Sequence, residues 1–383
     1  LSAGPSPGFS ATTAEPPPPP PPAPPAPPAP IASRKSVARF LLALALGALG
    51  GYAFYILGLP LPWMLGAMSA VTIAALAGAP LTSWTSFRNG MVAVLGVLLG
   101  SQFNAEIFAR IADWYVGLAG VAASSGLMVL LCALYYRKIG GYDRTSAYFS
   151  AIPGGLSEMM VLGEAMGGDA RRISLSHGVR ILTAVFLIAF YFRLFEGYQP
   201  IGLVGREASG VDWRDGLILA GCAVVGWPGA RLLRIPAAQL VGPLALSAAA
   251  HLGGLVSAMP PGEIVAAAQV ALGAAIGARF VGAGFRETWR IIVISIGAAF
   301  IMVAIAAIFA LVLGEISGSS QTALFLALAP GGLAEMSIIA LSFGTAAAFV
   351  STHHIVRIIL LVVVAPAIYR LLLDGGARRI SRG

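Results

Sequence analysis

From residue 40 onward the chain is a succession of long apolar stretches, separated by short turns that collect Gly, Pro and basic residues. Apolar runs of roughly 18 residues or more read as membrane-spanning helices. In the first half they fall at 40–59, 62–79, 89–104, 116–136 and 177–195. In the second half they fall at 215–232, 237–256, 265–281, 291–313 and 352–372. Two more apolar stretches, 145–166 and 321–343, are each interrupted by Pro-Gly-Gly. Proline lacks the helical N–H and glycine loses the most entropy in a helix, so the chain is expected to break at both places.

Composition agrees with a bilayer protein. Of 383 residues 58% are hydrophobic and 10% charged, and the mean hydropathy is +0.85. Soluble domains carry about 25% charged residues, so a soluble fold is excluded. Cys132 and Cys222 lie within apolar segments and read as small buried hydrophobes, with no disulfide framework. Residues 1–33 are set apart. Residue 1 is Leu rather than Met, which reads as a fragment or a doubtful start, and a Pro/Ala tract includes unbroken proline from Pro16 to Pro22. Such a tract has nothing to bury and is expected to be a disordered tail.

The net charge of +8 does not mark a nucleic-acid binder, because Lys and Arg sit at helix ends and in short loops with no contiguous basic face. Their placement instead sets a topology. If 145–166 and 321–343 both turn back as hairpins, Arg34, Lys35, Arg137, Lys138, Arg171, Arg172, Arg286 and Arg290 share the cytoplasmic side with most other basic residues. The outer side then holds Arg110, Arg193, Arg206 and Arg214. If both stretches cross fully, Arg171, Arg172, Arg231, Arg234, Arg279, Arg286 and Arg290 move outside. The hairpin arrangement obeys the positive-inside bias better and puts both termini in the cytoplasm.

The chain also repeats itself. AIPGGLSEM at 151–159 matches LAPGGLAEM at 328–336, an offset of 177 from Pro153 to Pro330. The same offset carries Glu158 to Glu335, His177 to His354, Arg180 to Arg357, Gly96 to Gly273 and Gly100 to Gly277. Earlier, Pro60 pairs with Pro236 and Gly66 with Gly242, at an offset of 176. The expected organisation is therefore a first membrane repeat over 34–200 and a second over 201–383. Each holds five spans and one hairpin, and an odd number of crossings inserts the second repeat upside down. The expected fold class is an all-α membrane protein of ten transmembrane helices, built as two inverted five-helix repeats. Many secondary transporters have this construction, with their sites near the midplane on interrupted segments.

The candidate site residues follow from the breaks. Pro153, Gly154, Gly155 and Pro330, Gly331, Gly332 are candidate hairpin tips, since broken backbone at membrane depth is tolerated only when buried in protein or lining a wet cavity. They serve either as tight packing turns or as places where a backbone in a glycine-permitted conformation approaches a ligand. Glu158 and Glu335 follow three residues later. An ionised carboxylate at that depth costs a few kcal/mol unless paired, so each is a candidate proton or cation site, a cap of its own helix, or both. His177 with Arg180, and His354 with Arg357, put a His and an Arg on one helix face. Arg357 either pairs with Glu335 or faces the cavity to bind an anion. The GxxxG spacings at Gly96–Gly100 and Gly273–Gly277 read as close helix packing. No CxxC, HExxH, GxSxG or phosphate-loop signature occurs, so no catalytic residue, metal or cofactor is expected and the chain is not read as an enzyme.

The doubled PGGL(S/A)EM, the HxxR that follows each copy, and the early Leu-Gly/Gly-Pro span resemble the AbrB-type membrane family over about residues 40–375. The resemblance implies a duplicated membrane domain in a bacterial inner membrane. The family carries two labels, regulator of gene expression and ammonia monooxygenase. Neither fits the residues: no DNA-reading module is visible, and His177, His251, His353 and His354 form no evident ligand cluster. An unrelated small soluble DNA-binding regulator shares the name. The leading expectation is a secondary transporter of a small solute, with an anion among the candidates. The alternative is a membrane-embedded regulator acting indirectly on expression. Expected partners are the lipid bilayer, a small-molecule or ion substrate and, as one possible assembly, a homo-oligomer, with no direct nucleic-acid contact.

Overall fold

The computed structural model describes residues 34–109, 111–197, 212–342 and 347–374, and is helical throughout them. The expected tail at 1–33 and the expected repeat boundary at 200/201 both lie outside the described residues. The helices are α1 (Arg34–Ile56), α2 (Pro62–Leu76), α3 (Thr85–Gly100), the short α4 (Ala105–Ala109), α5 (Tyr115–Lys138), α6 (Arg144–Ala151), α7 (Leu156–Ala165) and α8 (Ala170–Phe195). They continue as α9 (Trp213–Leu232), α10 (Ala238–Leu252), α11 (Gly262–Gly277), α12 (Phe285–Ser317), α13 (Gln321–Leu328), α14 (Leu333–Ser342) and α15 (Ala347–Ile368). Among the described residues six helical segments are long and apolar enough to cross a membrane, and they fall on α1, α5, α8, α11, α12 and α15. Helices α2, α3 and α10 are apolar but only 15 or 16 residues long.

The packing does not follow chain order. Helices α1, α2 and α3 pack with α9, α10 and α11: α2 lies on α1 and α11, while α10 lies on α9 and α3. Helices α5 to α8 pack with α12 to α15: α5 lies on α12, α8 on α12, and α15 on α5, α13 and α14. Between this six-helix group and this eight-helix group the contacts are sparse. They run from α3 to α14 and α15, and from α2, α11 and the 3-10 turn Ala278–Phe280 to α8. The largest apolar cluster crosses that seam, joining Leu95 and Leu98 to Ile338 and Val350.

Within the six-helix group two crossings bring backbone against backbone. A Cβ on Gly66 would collide with the Gly50 carbonyl, and one on Gly242 with the Gly226 carbonyl. Only glycine permits such an approach, as at small-residue helix interfaces in membranes. The GxxxG glycines behave likewise: Gly96 and Gly100 abut the backbone of α10, and Gly273 and Gly277 that of α2. Left-handed backbone falls at Gly58 and Arg234, Leu61 and Ala237, Gly78 and Gly254, and Gly141 and Gly318.

The eight-helix group contains the breaks. Helix α6 ends at Ala151 and α7 starts at Leu156; α13 ends at Leu328 and α14 starts at Leu333. Helices α6 and α7 are antiparallel, because a side chain at Gly163 would meet Phe149 and one at Gly168 would meet Thr145. The open end is tied by the Asp169 N–H donating to Ser146 Oγ at 2.7 Å. Asp143 caps α6 by accepting from the Ser146 N–H, and Ser320 caps α13 by accepting from the Ala323 N–H. At 1.5 Å per residue the two arms of the first hairpin span about 12 and 15 Å. That is about half of a hydrocarbon core roughly 30 Å thick.

Candidate functional site

Both hairpin turns are held by the helix that follows them. From α8, His177 Nε2 donates to the Phe149 carbonyl at 2.9 Å and Arg180 Nη1 donates to the Ile152 carbonyl at 2.7 Å. From α15, His354 Nε2 donates to the Leu326 carbonyl at 2.9 Å and Arg357 Nη1 donates to the Ala329 carbonyl at 2.6 Å. The carbonyls freed by Pro153 and Pro330 thus find charged or imidazole donors, as broken helices at membrane depth require. All four side chains are buried, with Arg180 2% and Arg357 3% exposed.

The two clasps are not equally complete. Arg357 Nη2 also donates to the Gly331 carbonyl at 3.2 Å and to His354 Nδ1 at 2.8 Å. Since His354 Nε2 carries the proton given to Leu326, Nδ1 is the bare nitrogen and the imidazole is the neutral Nε2–H tautomer. On the other side His177 Nδ1 has no partner. The Nε atoms of both arginines are buried without a partner. Tip exposure differs at two positions: Gly154 and Glu158 are half-buried whereas Gly331 and Glu335 are buried, while Pro153 and Pro330 are both buried and Gly155 and Gly332 both half-buried.

The sequence offered Glu335 as a counter-charge for Arg357. Among the described residues that ion pair does not form, and Arg357 is satisfied by carbonyls and His354 instead. Each glutamate occupies the third position of its helix, with a glycine at the N-cap, and folds back onto that glycine. A Cβ on Gly155 would strike the Glu158 carboxylate, and one on Gly332 the Glu335 carboxylate. Each carboxylate therefore lies against the glycine that precedes its own helix. The expectation of special backbone at the tips needs correction. Gly155 has φ −60°, and neither Gly154, Gly331 nor Gly332 is left-handed. At 155 and 332 a Cβ would meet only the carboxylate end of the following glutamate, a flexible group that can shift.

Sequence reasoning missed two members of this region. Arg88 of α3 lies within electrostatic reach of Glu158, and Arg279, in the 3-10 turn after α11, lies within reach of Arg88 and His177. In the sequence each is one more basic residue at a helix end, and no motif marks it. Arg180 and Arg357 are within reach of each other. His353 points elsewhere, donating from Nδ1 to the Phe349 carbonyl at 2.7 Å and facing Trp114. Among the described residues no group of three His, Cys, Asp or Glu could hold a metal. A cavity of about 590 Å³ opens at the base of the second hairpin, between Asp113, Trp114 and Ser317–Ser320, and includes none of the expected site residues.

The arrangement of two broken segments, each followed by its own His and Arg, is covered by one family description. "Transition state regulatory protein AbrB" matches residues 63–373, from the first turn of α2 through both hairpins and α15. The chain belongs to the AbrB membrane family. Among AbrB relatives it is 26% identical over 361 residues to "Uncharacterized protein YhjN" of Bacillus subtilis (strain 168), covering 86% of this chain and 92% of that protein. It is 25% identical over 324 residues to "Putative regulator AbrB" of Escherichia coli (strain K12), covering 83% and 91%. This AbrB-family chain is thus a polytopic membrane protein related to both along most of their length.

Proposed function

We propose that the protein is a secondary transporter of a small solute, working by alternating access around the two hairpin tips. The carrying observation is the matched pair of clasps, in which His177 and Arg180 hold one broken segment as His354 and Arg357 hold the other. In this reading ten helices cross an inner membrane with both termini cytoplasmic, and residues 34–200 and 201–383 are inverted repeats. Support comes from left-handed positions recurring at offsets of 176 or 177, such as Gly58 with Arg234 and Gly141 with Gly318. It also comes from packing that recurs with the halves exchanged, α2 on α11 as α10 on α3. Such symmetry lets one chain adopt two mirror-related openings. The sparse seam suggests what moves: the eight-helix group, carrying both hairpins, slides against the six-helix group.

Purified protein in sealed vesicles should show solute-dependent flux that falls strongly in Glu335→Gln or Glu158→Gln. Cysteine labelling should find 171–172 on the cytoplasmic side and 206–212 outside; the reverse at 171–172 would overturn the hairpin topology. A second reading, an embedded regulator acting indirectly on expression, draws on the regulatory wording attached to the family and to the Escherichia coli relative. It gains if no solute moves while deletion of the gene changes transcription from a defined promoter.

A further inference from the structure

The two arginines occupy equivalent places and yet are unequally used. Arg357 spreads its terminal nitrogens over Leu328, Ala329, Gly331 and His354, which makes it a staple of the second hairpin. Arg180 gives the first hairpin a single bond, to Ile152; the Nε of each arginine is buried with no partner. Among the described residues neither arginine makes an ion pair, so two positive charges within reach of each other lie buried without a carboxylate on either. Ionised groups so placed in a membrane protein are costly unless charges or backbone carbonyls pair with them; Arg357 has three carbonyls and His354, Arg180 one carbonyl.

The side of the first hairpin that faces the six-helix group is mainly basic. Arg88 and Arg279 come from the six-helix group and are half-buried opposite the half-buried first tip. Glu158 is the acid within reach of Arg88, and its carboxylate is folded onto Gly155. His177 spends its Nε2 proton on Phe149 and presents a bare Nδ1. Arg88 and Arg279 against the one carboxylate of Glu158 leave this side with a positive excess, which draws anions and repels cations.

We propose that the solute is a small oxyanion, led between the two helix groups by Arg88 and Arg279 and received by Arg180 at the first hairpin tip. A guanidinium with a free edge suits carboxylate, phosphate and sulfate oxygens alike, by paired N–H donors. The proposal rests on the transport reading for the word solute; binding itself can be tested without flux.

The experiment uses the full chain in detergent, melted in sodium acetate, succinate, phosphate or sulfate, against sodium chloride of equal ionic strength and against mannitol. At least one oxyanion is expected to raise Tm saturably beyond chloride. A response confined to acetate and succinate names a carboxylate, and one confined to phosphate and sulfate names an inorganic anion. Arg180→Gln should weaken the apparent affinity about tenfold or more, as expected for a lost charge-assisted pair. Arg180→Lys keeps the charge, guards against a folding failure and should give an intermediate loss; Arg172→Gln should give none. No oxyanion exceeding chloride, or a response undiminished in both Arg180 variants, overturns the proposal. Vesicle flux separates the two readings. Glu335-dependent movement of mannitol with no oxyanion binding sinks this proposal and leaves transport standing. Saturable oxyanion binding lost in Arg180→Gln, without flux of that anion, does the opposite.

Discussion

The six-helix and eight-helix groups solve the same problem, packing helices in an apolar solvent, in opposite ways. The first buries no charged side chain among the described residues and relies on backbone contact, Gly50 against Gly66 and Gly226 against Gly242, with Ser247 bonding across to the Val97 carbonyl. Without a hydrophobic drive between helices, that close approach supplies the van der Waals contact on which association depends. The second group accepts broken helices, and buries His177, Arg180, His354 and Arg357 to repair them. Glycine crossings resist deformation because nothing at the contact can rotate away. Side-chain clasps can open and close, at the cost of a few hydrogen bonds. A rigid frame beside a body that carries breakable bonds is the division of labour that alternating access needs.

The largest effect should come from attacking the frame. Gly66→Leu or Gly242→Leu drives a side chain into an opposing backbone carbonyl that cannot rotate aside, so the cost exceeds the ~1–3 kcal/mol of ordinary overpacking. The expected result is loss of the monodisperse peak in detergent size-exclusion chromatography. Gly221→Leu, at a glycine of α9 with open space around it, should elute as wild type. Equal behaviour of the three would erase the contrast between the groups.

Next in size is the difference between the two clasps. Arg357→Gln strands several buried carbonyls, each worth about 1–3 kcal/mol when left unpaired, whereas Arg180→Gln strands Ile152 alone. Thermal melts should show the larger drop in Tm for Arg357→Gln. A larger drop for Arg180→Gln would mean that the first hairpin, not the second, is the anchored one.

Cross-linking sharpens the seam. In a background lacking Cys132 and Cys222, Phe149→Cys with Gly163→Cys joins the two arms of one hairpin, with Cβ atoms about 3.2 Å apart, near disulfide range. This link should form and leave flux intact. Joining Gly178→Cys on α8 to Phe280→Cys with a short bifunctional reagent ties the two groups together and should stop flux. If both links are silent, the seam does not move.

The smallest effect is expected at Arg172, whose ion pair with Asp169 is 3.3 Å long and roughly four-tenths exposed on either side. Exposed pairs contribute about 0–1 kcal/mol, so Arg172→Gln should leave Tm within about a degree of wild type.

What the chain order alone determined was whatever depends on near neighbours. Apolar runs declared the helices and the bilayer, because hydrocarbon tolerates no unpaired backbone. Pro153-Gly154-Gly155 and Pro330-Gly331-Gly332 declared the breaks, because proline removes a donor wherever it sits. The motif around them pointed to the family. Only the tertiary structure decided which distant segments answer those breaks. It put α1–α3 beside α9–α11, so that the packed bodies are not the two halves of the chain. It gave Arg357 to carbonyls and His354 rather than to Glu335, turned both glutamates onto their own N-caps, and brought Arg88 and Arg279 toward the first tip. Those choices depend on which side chain reaches a buried carbonyl first, a competition among residues tens of positions apart that local spacing does not encode.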